Sequence, residues 1–172
     1  YNIYTQRIDQ NCNTLYSSVS EGGKLVCNVG SAEALSRHPR ITYINENITA
    51  MVWEDYRNNQ YSDVYMQFLD NNGDAILDNN GVSVSVADGP QYLPRIKGDE
   101  GGAYIIWEDL RNHPVFSDVY AQKYDLNGNA MLNNDGIALS TSSGKQYGAR
   151  LSTDGQGGAY FVWSDERNGS YP

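Results

Sequence analysis

Three short runs in this sequence pair an indole, a carboxylate and a guanidinium at fixed spacing. Trp53, Asp55 and Arg57 return as Trp107, Asp109 and Arg111, and again as Trp163, Asp165 and Arg167. Residues two apart on a strand share a face, so each Asp and Arg could clamp together. One chemistry this permits is a carboxylate–guanidinium site for a sugar or an acid. The other is a tether that shapes the following loop and meets Asp63 or Asp118 across it. The tether is the expectation, because a catalytic centre rarely needs the same Asp and Arg in triplicate. The tryptophans could stack on sugar rings, but a large apolar side chain at every repeat suits packing between neighbouring units.

Other candidates are weaker. Asp70, Asn72 and Asp74, like Asp125 and Asn127, set oxygen side chains at alternating positions, in outline a calcium loop. The glycine at six and glutamate at twelve of the full calcium-loop pattern are missing, and a hairpin turn explains Asn-Gly equally well. No cofactor is expected, with calcium as the alternative. His38 and His113 stand apart and assemble no Ser-His-Asp or Cys-His arrangement. Glycoside hydrolysis needs two unlike carboxylates in one cleft, and no carboxylate pair here breaks the repeat. Gly101-Gly102 and Gly157-Gly158 are turns, since no Lys-Ser/Thr follows. The residues that differ between units are the better binding candidates. Tyr92 and Tyr147, with Glu54, Glu108 and the loop from His113 to Phe116, should share one face and suit a sugar or a protein.

The elements that position these residues follow from the repeat, whose interval of about 55 residues lies in the range of propellers, solenoids and arrays. In the second unit, Pro94-Arg95-Ile96 opens a short strand A. Ala103 to Trp107 forms strand B, Asp118 to Tyr124 alternates as strand C, and strand D follows the Asn127-Gly128 turn. The predicted fold is all-β, made of four-stranded antiparallel blades of a β-propeller. Strand order along the chain is CD-ABCD-ABCD-AB, in units of about 1–34, 35–89, 90–144 and 145–172. Three blades' worth of strands is too few for a usual ring of 4–8 blades. The chain is therefore expected to be part of a six-to-eight-blade propeller, completed by other blades of the same polypeptide or by another chain.

Composition narrows the partners. Twelve basic residues against 21 acidic ones give a net charge of −9, so nucleic acid is a poor partner. No apolar run approaches the ~20 residues of a spanning helix. Cys12 and Cys27 both fall in the first unit. A local disulfide between them is expected and would fit an oxidising compartment, with two unrelated thiols as the alternative.

The combined pattern of Trp-x-Asp-x-Arg, Asp-Val-Tyr-x-Gln, Pro-Arg-Ile and Gly-Gly-Ala-Tyr resembles propeller-type repeats of large secreted or cell-surface bacterial proteins. It is similar to repeats of Bacteroidota proteins exported by type IX secretion. That resemblance implies an extracellular or cell-surface location. The function expected is a non-catalytic scaffold or binding module for protein or glycan. A glycan-active hydrolase or lyase and a purely structural spacer are the alternatives.

Overall fold

The computed structural model describes residues 2–16, 22–29, 35–58 and 60–169. They contain twelve strands and no helix: β1 (Ile3–Thr5), β2 (Lys24–Cys27), β3 (Ser36–Asn45), β4 (Ile48–Asp55), β5 (Asp63–Leu69), β6 (Val82–Ser85), β7 (Gln91–Asp99), β8 (Gly102–Asp109), β9 (Asp118–Tyr124), β10 (Ile137–Ser140), β11 (Gln146–Thr153) and β12 (Ala159–Asp165). Among the described residues no helix is long and apolar enough to cross a membrane. The strands form four antiparallel sheets, β1-β2, β3-β4-β5-β6, β7-β8-β9-β10 and β11-β12. The two central sheets thus have the strand sequence A-B-C-D, and the outer two hold C-D and A-B.

Each central sheet is a meander, and the turns that leave its third strand are rich in Asp, Asn and Gly. Asp70 Oδ1 accepts the backbone N–H groups of Asn72 and Asp74, each at 2.8 Å. Asp125 Oδ1 does the same for Asn127 and Asn129, at 2.9 and 2.8 Å. These are Asx turns, in which the carboxylate replaces a backbone acceptor. Cys12 occupies the glycine position of this turn in the first unit, with φ of 65°.

Strand C departs from the one-sided alternation of its sequence. Every residue of β5 is buried, as are all of β9 except Lys123. Both faces of a central sheet are covered, one by the preceding sheet and one by the following sheet. Met51, Trp53 and Tyr65 pack towards Ile3 and Val26, while Val52, Met66 and Phe68 pack against Ile96, Ile105 and Trp107. Ile106, Val119 and Ala149 begin the third layer, with Leu151, Phe161 and Trp163. The core is a series of layers between sheets, and the period-two alternation selects which layer each residue enters. Strand D is shorter than its sequence suggests. Ala130 makes only an isolated bridge to Tyr124, and the strand proper starts at Ile137.

Each fully buried tryptophan closes on a glycine. A Cβ at Gly136 would lie 2.4 Å from the Trp107 ring and 2.7 Å from the Ala121 carbonyl oxygen, and its φ is +80°. Gly81 stands in the same relation to Trp53. Tyr124 ties neighbouring sheets by donating its hydroxyl to Ser83 O at 3.1 Å.

Trp107→Ala should cost about 3–5 kcal/mol, the usual range for a buried large aromatic. Gly136→Ala should destabilise as well, through left-handed backbone and the ring it strikes, and urea unfolding measures both. Burial pushes the Tyr124 phenol up to about 12, against about 10 in an unfolded chain. A raised pKa stabilises the fold fully below the unfolded value, and this contribution is lost as pH rises through the folded one. The melting temperature should therefore fall between about pH 10 and pH 12 more steeply in the parent than in Tyr124→Phe.

Candidate functional site

The repeated Trp-x-Asp-x-Arg group is a closed hub. Strand B ends at its Asp, and the chain then curls so that Arg returns over it. Trp53 Nε1–H donates to Asp55 Oδ2 at 2.8 Å. Arg57 donates from its backbone N–H and from Nε to Oδ1, and from Nη2 to Oδ2, at 2.8–2.9 Å. The guanidinium also lies 3.8 Å from the Tyr65 ring centroid and donates to Asn80 O at 2.7 Å. Asp109 repeats this with Trp107 and Arg111, and Arg111 lies over Tyr120 at 3.9 Å and donates to Asp135 O at 2.9 Å. Both carboxylates are fully buried. Burial pushes Asp55 up, but the bonds from Arg57 and Trp53 outweigh it and hold the carboxyl below its ordinary range.

The third copy is looser. Trp163 Nε1 reaches Asp165 Oδ2 at 3.3 Å, and Arg167 is half exposed. The hydrogen bond from Arg167 holds Asp165 well below the usual carboxylate range. In each of the first two copies the partner across the loop is the Asn of the motif. Asn58 donates to Asp63 and Asn112 to Asp118, at 2.7 and 2.8 Å.

The hub also reaches the preceding sheet. Arg111 Nη2 donates to Ser85 Oγ at 3.0 Å, and Arg57 Nη2 lies 3.6 Å from Cys27 Sγ. Cys27 thus takes the place of Ser85 at the end of strand D. The expected disulfide is not formed: Cys27 is buried, Cys12 is exposed, and both are free thiols. The repeat explains this. Cys27 pairs across the sheet with Ile3, while Cys12 lies beyond the Ile8–Thr14 bridge at the far end of the same hairpin. The several strand residues between them, at about 3.3 Å each, exceed the reach of a disulfide. Burial raises the Cys27 pKa above its ordinary value, which keeps the thiol protonated and inert.

Three of the five side chains proposed for calcium have an oxygen engaged within the protein. Asp70 and Asp125 accept backbone N–H groups, and Asp74 forms an ion pair with Lys24 at 2.6 Å. Among the described residues no group of three or more His, Cys, Asp or Glu could hold a metal ion.

The predicted binding face is more deeply built than its sequence suggests. Gln91-Tyr92 and Gln146-Tyr147 belong to strands β7 and β11, and both glutamines are fully buried. Glu54 and Glu108 are buried as well, at 2% and 5% exposure. Glu54 Oε1 accepts Leu93 N–H at 2.7 Å, and Glu108 Oε1 accepts Gly148 N–H at 2.8 Å. Each glutamate therefore fastens its sheet to strand A of the next. Glu54 Oε2 also meets His38 Nδ1 at 2.9 Å. Burial raises the Glu108 pKa despite its bond from Gly148. A cleft of about 390 Å³ remains between the two central sheets, lined by His38, Glu54, Tyr56, Tyr92, Glu108 and Lys145 among others. Tyr147 lies outside that lining, 38% exposed, with Lys145 Nζ 5.1 Å from its ring centroid. His113 Nδ1 accepts the N–H groups of Val115 and Phe116 within its own loop, a local turn.

Sequence reasoning missed the buried glutamines of strand C. Gln67 Nε2 donates to Asp78 O, and its Oε1 accepts the N–H of Phe68 and Leu77. Gln122 makes the same three bonds to Asn133, Lys123 and Leu132. Their return within Asp-Val-Tyr-x-Gln was the available signal.

Comparison with protein-family models, curated proteins and solved structures gives no match.

Asp109→Asn should cost about 3–5 kcal/mol, because it strands the partly buried Arg111 without its counter-charge. Asp165→Asn, in the more exposed copy, should cost much less. Chemical denaturation of the two variants side by side checks the ordering.

Proposed function

We propose that this chain is a non-catalytic binding and scaffold module, built as consecutive blades of a β-propeller and working outside the cell or at its surface. The observation that carries the reading is the use made of its reactive groups. The carboxylates of Asp55 and Asp109 each accept four hydrogen bonds from their own motif. Glu54 and Glu108 are tied to the next sheet. Groups so engaged shape the protein and are poorly placed to transfer protons. What the cleft presents is a tyrosine-bearing surface of mixed character, with Tyr56 and Tyr92 beside Lys145, Leu110 and Val115, suited to a glycan or a protein.

The outer sheets support the propeller architecture. One holds strands C-D, the other A-B, and a strand C beside β12 would complete a blade of the type seen twice in the centre. Tyr160 and Val162 on β12 are 73% and 63% exposed, an apolar surface of the kind a further blade covers. The partners implied are further blades of the same polypeptide or of another chain. The repeat's resemblance to those of secreted and surface bacterial proteins supports the extracellular setting.

A glycan array and surface pull-downs test this reading. Binding by the parent, reduced by Tyr92→Ala at unchanged melting temperature, is the expected result. Turnover in a glycan-cleavage screen, abolished by a single carboxylate substitution, would establish an enzyme instead. Flat responses in both assays would leave a structural spacer.

A further inference from the structure

Three arginines outside the hubs occupy one position of the fold. Arg40, Arg95 and Arg150 each follow a β-bulge on strand A, where the register with strand B shifts. The bulge is held in left-handed backbone, with φ of 52° at His38, 51° at Leu93 and 68° at Gly148. A bulge of this kind re-aims the side chain next to it. In the last two cases a buried glutamate of the preceding sheet grips the bulge N–H. The three strands carrying these arginines, β3, β7 and β11, pack successively against one another.

The guanidiniums are held by one nitrogen only. Arg40 Nη1 donates to Pro39 O, Arg95 Nη1 to Leu93 O and Pro94 O, and Arg150 Nη1 to Gly148 O and Ala149 O. These bonds fix each side chain and leave the Nε–Nη2 edge without a protein acceptor among the described residues. The hubs of this same protein show what that edge binds. Arg57 and Arg111 use Nε and Nη2 to chelate a carboxylate. Among the described residues no carboxylate lies within ion-pairing distance of Arg40, Arg95 or Arg150. Bringing three cations near one another without ion pairs costs Coulomb energy that an anionic ligand would recover. Arg95 registers that cost: burial first, then the charges of Arg40 and Arg150, lowers its pKa, and the opposing pull of Glu108 and Glu54 does not restore it.

We propose that Arg40, Arg95 and Arg150 form a carboxylate-binding row for an acidic polysaccharide, each guanidinium taking one uronate-type carboxylate through its Nε–Nη2 edge. The inference rests on the binding-module reading and names the ligand class. A polymer fits because the row repeats once per sheet, so it matches charges carried at regular intervals along a chain. A glycan fits because Tyr56 and Tyr92 line the cleft that Leu93, next but one to Arg95, also borders, and tyrosine rings suit the faces of sugars. The carboxylates already in that cleft, Glu54 and Glu108, accept from the bulge N–H groups and do not fill the row.

The test is calorimetric titration of the full chain with a galacturonate oligomer, its fully methyl-esterified form and oligoglutamate. Binding to the acidic oligomer, loss on esterification, and weakening as salt rises are expected. Arg150→Gln, at an exposed position, should weaken binding about tenfold, the scale of a lost charge-assisted pair. Arg95→Lys keeps the charge but loses the fork, and should weaken it severalfold with little change in melting temperature. Equal affinity for the ester, no binding of any probe, or unchanged affinity in Arg150→Gln would each overturn the row, and equal affinity for oligoglutamate would overturn its assignment to a polysaccharide. If Tyr92→Ala reduced glycan binding while Arg150→Gln did not, the row would fail and the wider reading would stand.

Discussion

A buried carboxylate that gathers four hydrogen bonds from its own motif is the constraint on which each central sheet depends. Asp55 sits at the end of strand B, where the chain must turn sharply to enter strand C. It gathers the indole N–H, the backbone N–H of the turn and two guanidinium nitrogens in one place. A lone buried charge would be very costly, but this one is paired and every donor is directed at it. Its arginine then reaches the Asn80 carbonyl ahead of strand D and the last residue of the preceding sheet. A single polar cluster thus sets the turn, the start of strand D and the seat of the neighbouring sheet. Asp109 does the same one unit later.

Around this hub, packing is arranged between sheets rather than within them. A four-stranded meander cannot bury both its faces alone, so each borrows a surface from its neighbours. Polar side chains reinforce the same interfaces. Asn80 and Asp135 accept backbone N–H groups of the preceding unit, and Glu54 and Glu108 accept those of the next. Adjacent sheets are therefore joined in both chain directions. Among the charged groups this allocation leaves over are the arginines after the bulges, which have no carboxylate within ion-pairing distance among the described residues.

Much of the site was legible, but its engagement was not. Repetition alone argued that Asp55, Asp109 and Asp165 build the fold, and their hydrogen bonds agree with that role. The glutamates beside them were placed on an open face, because a charged residue at a strand end is usually solvated. They are buried because strand A of the next sheet brings a bulge N–H to meet them. The cysteines were expected to pair because they share a unit. Their positions within that unit, a turn glycine and a strand-D serine, lie at opposite ends of one hairpin.

The sequence by itself determined the local order: which runs are strands, where the turns fall, and the succession of C-D, A-B-C-D, A-B-C-D and A-B. Those features follow from period-two alternation and from Asp, Asn and Gly at the turns, which act over a few residues. Only the tertiary structure decided which face of strand C is covered, since the answer is both and depends on sheets far away in sequence. It alone set the bulges of strand A, whose left-handed residues include His38 and Leu93, types that carry no turn signal of their own. The arginines that follow those bulges read as ordinary strand residues until three sheets stand side by side.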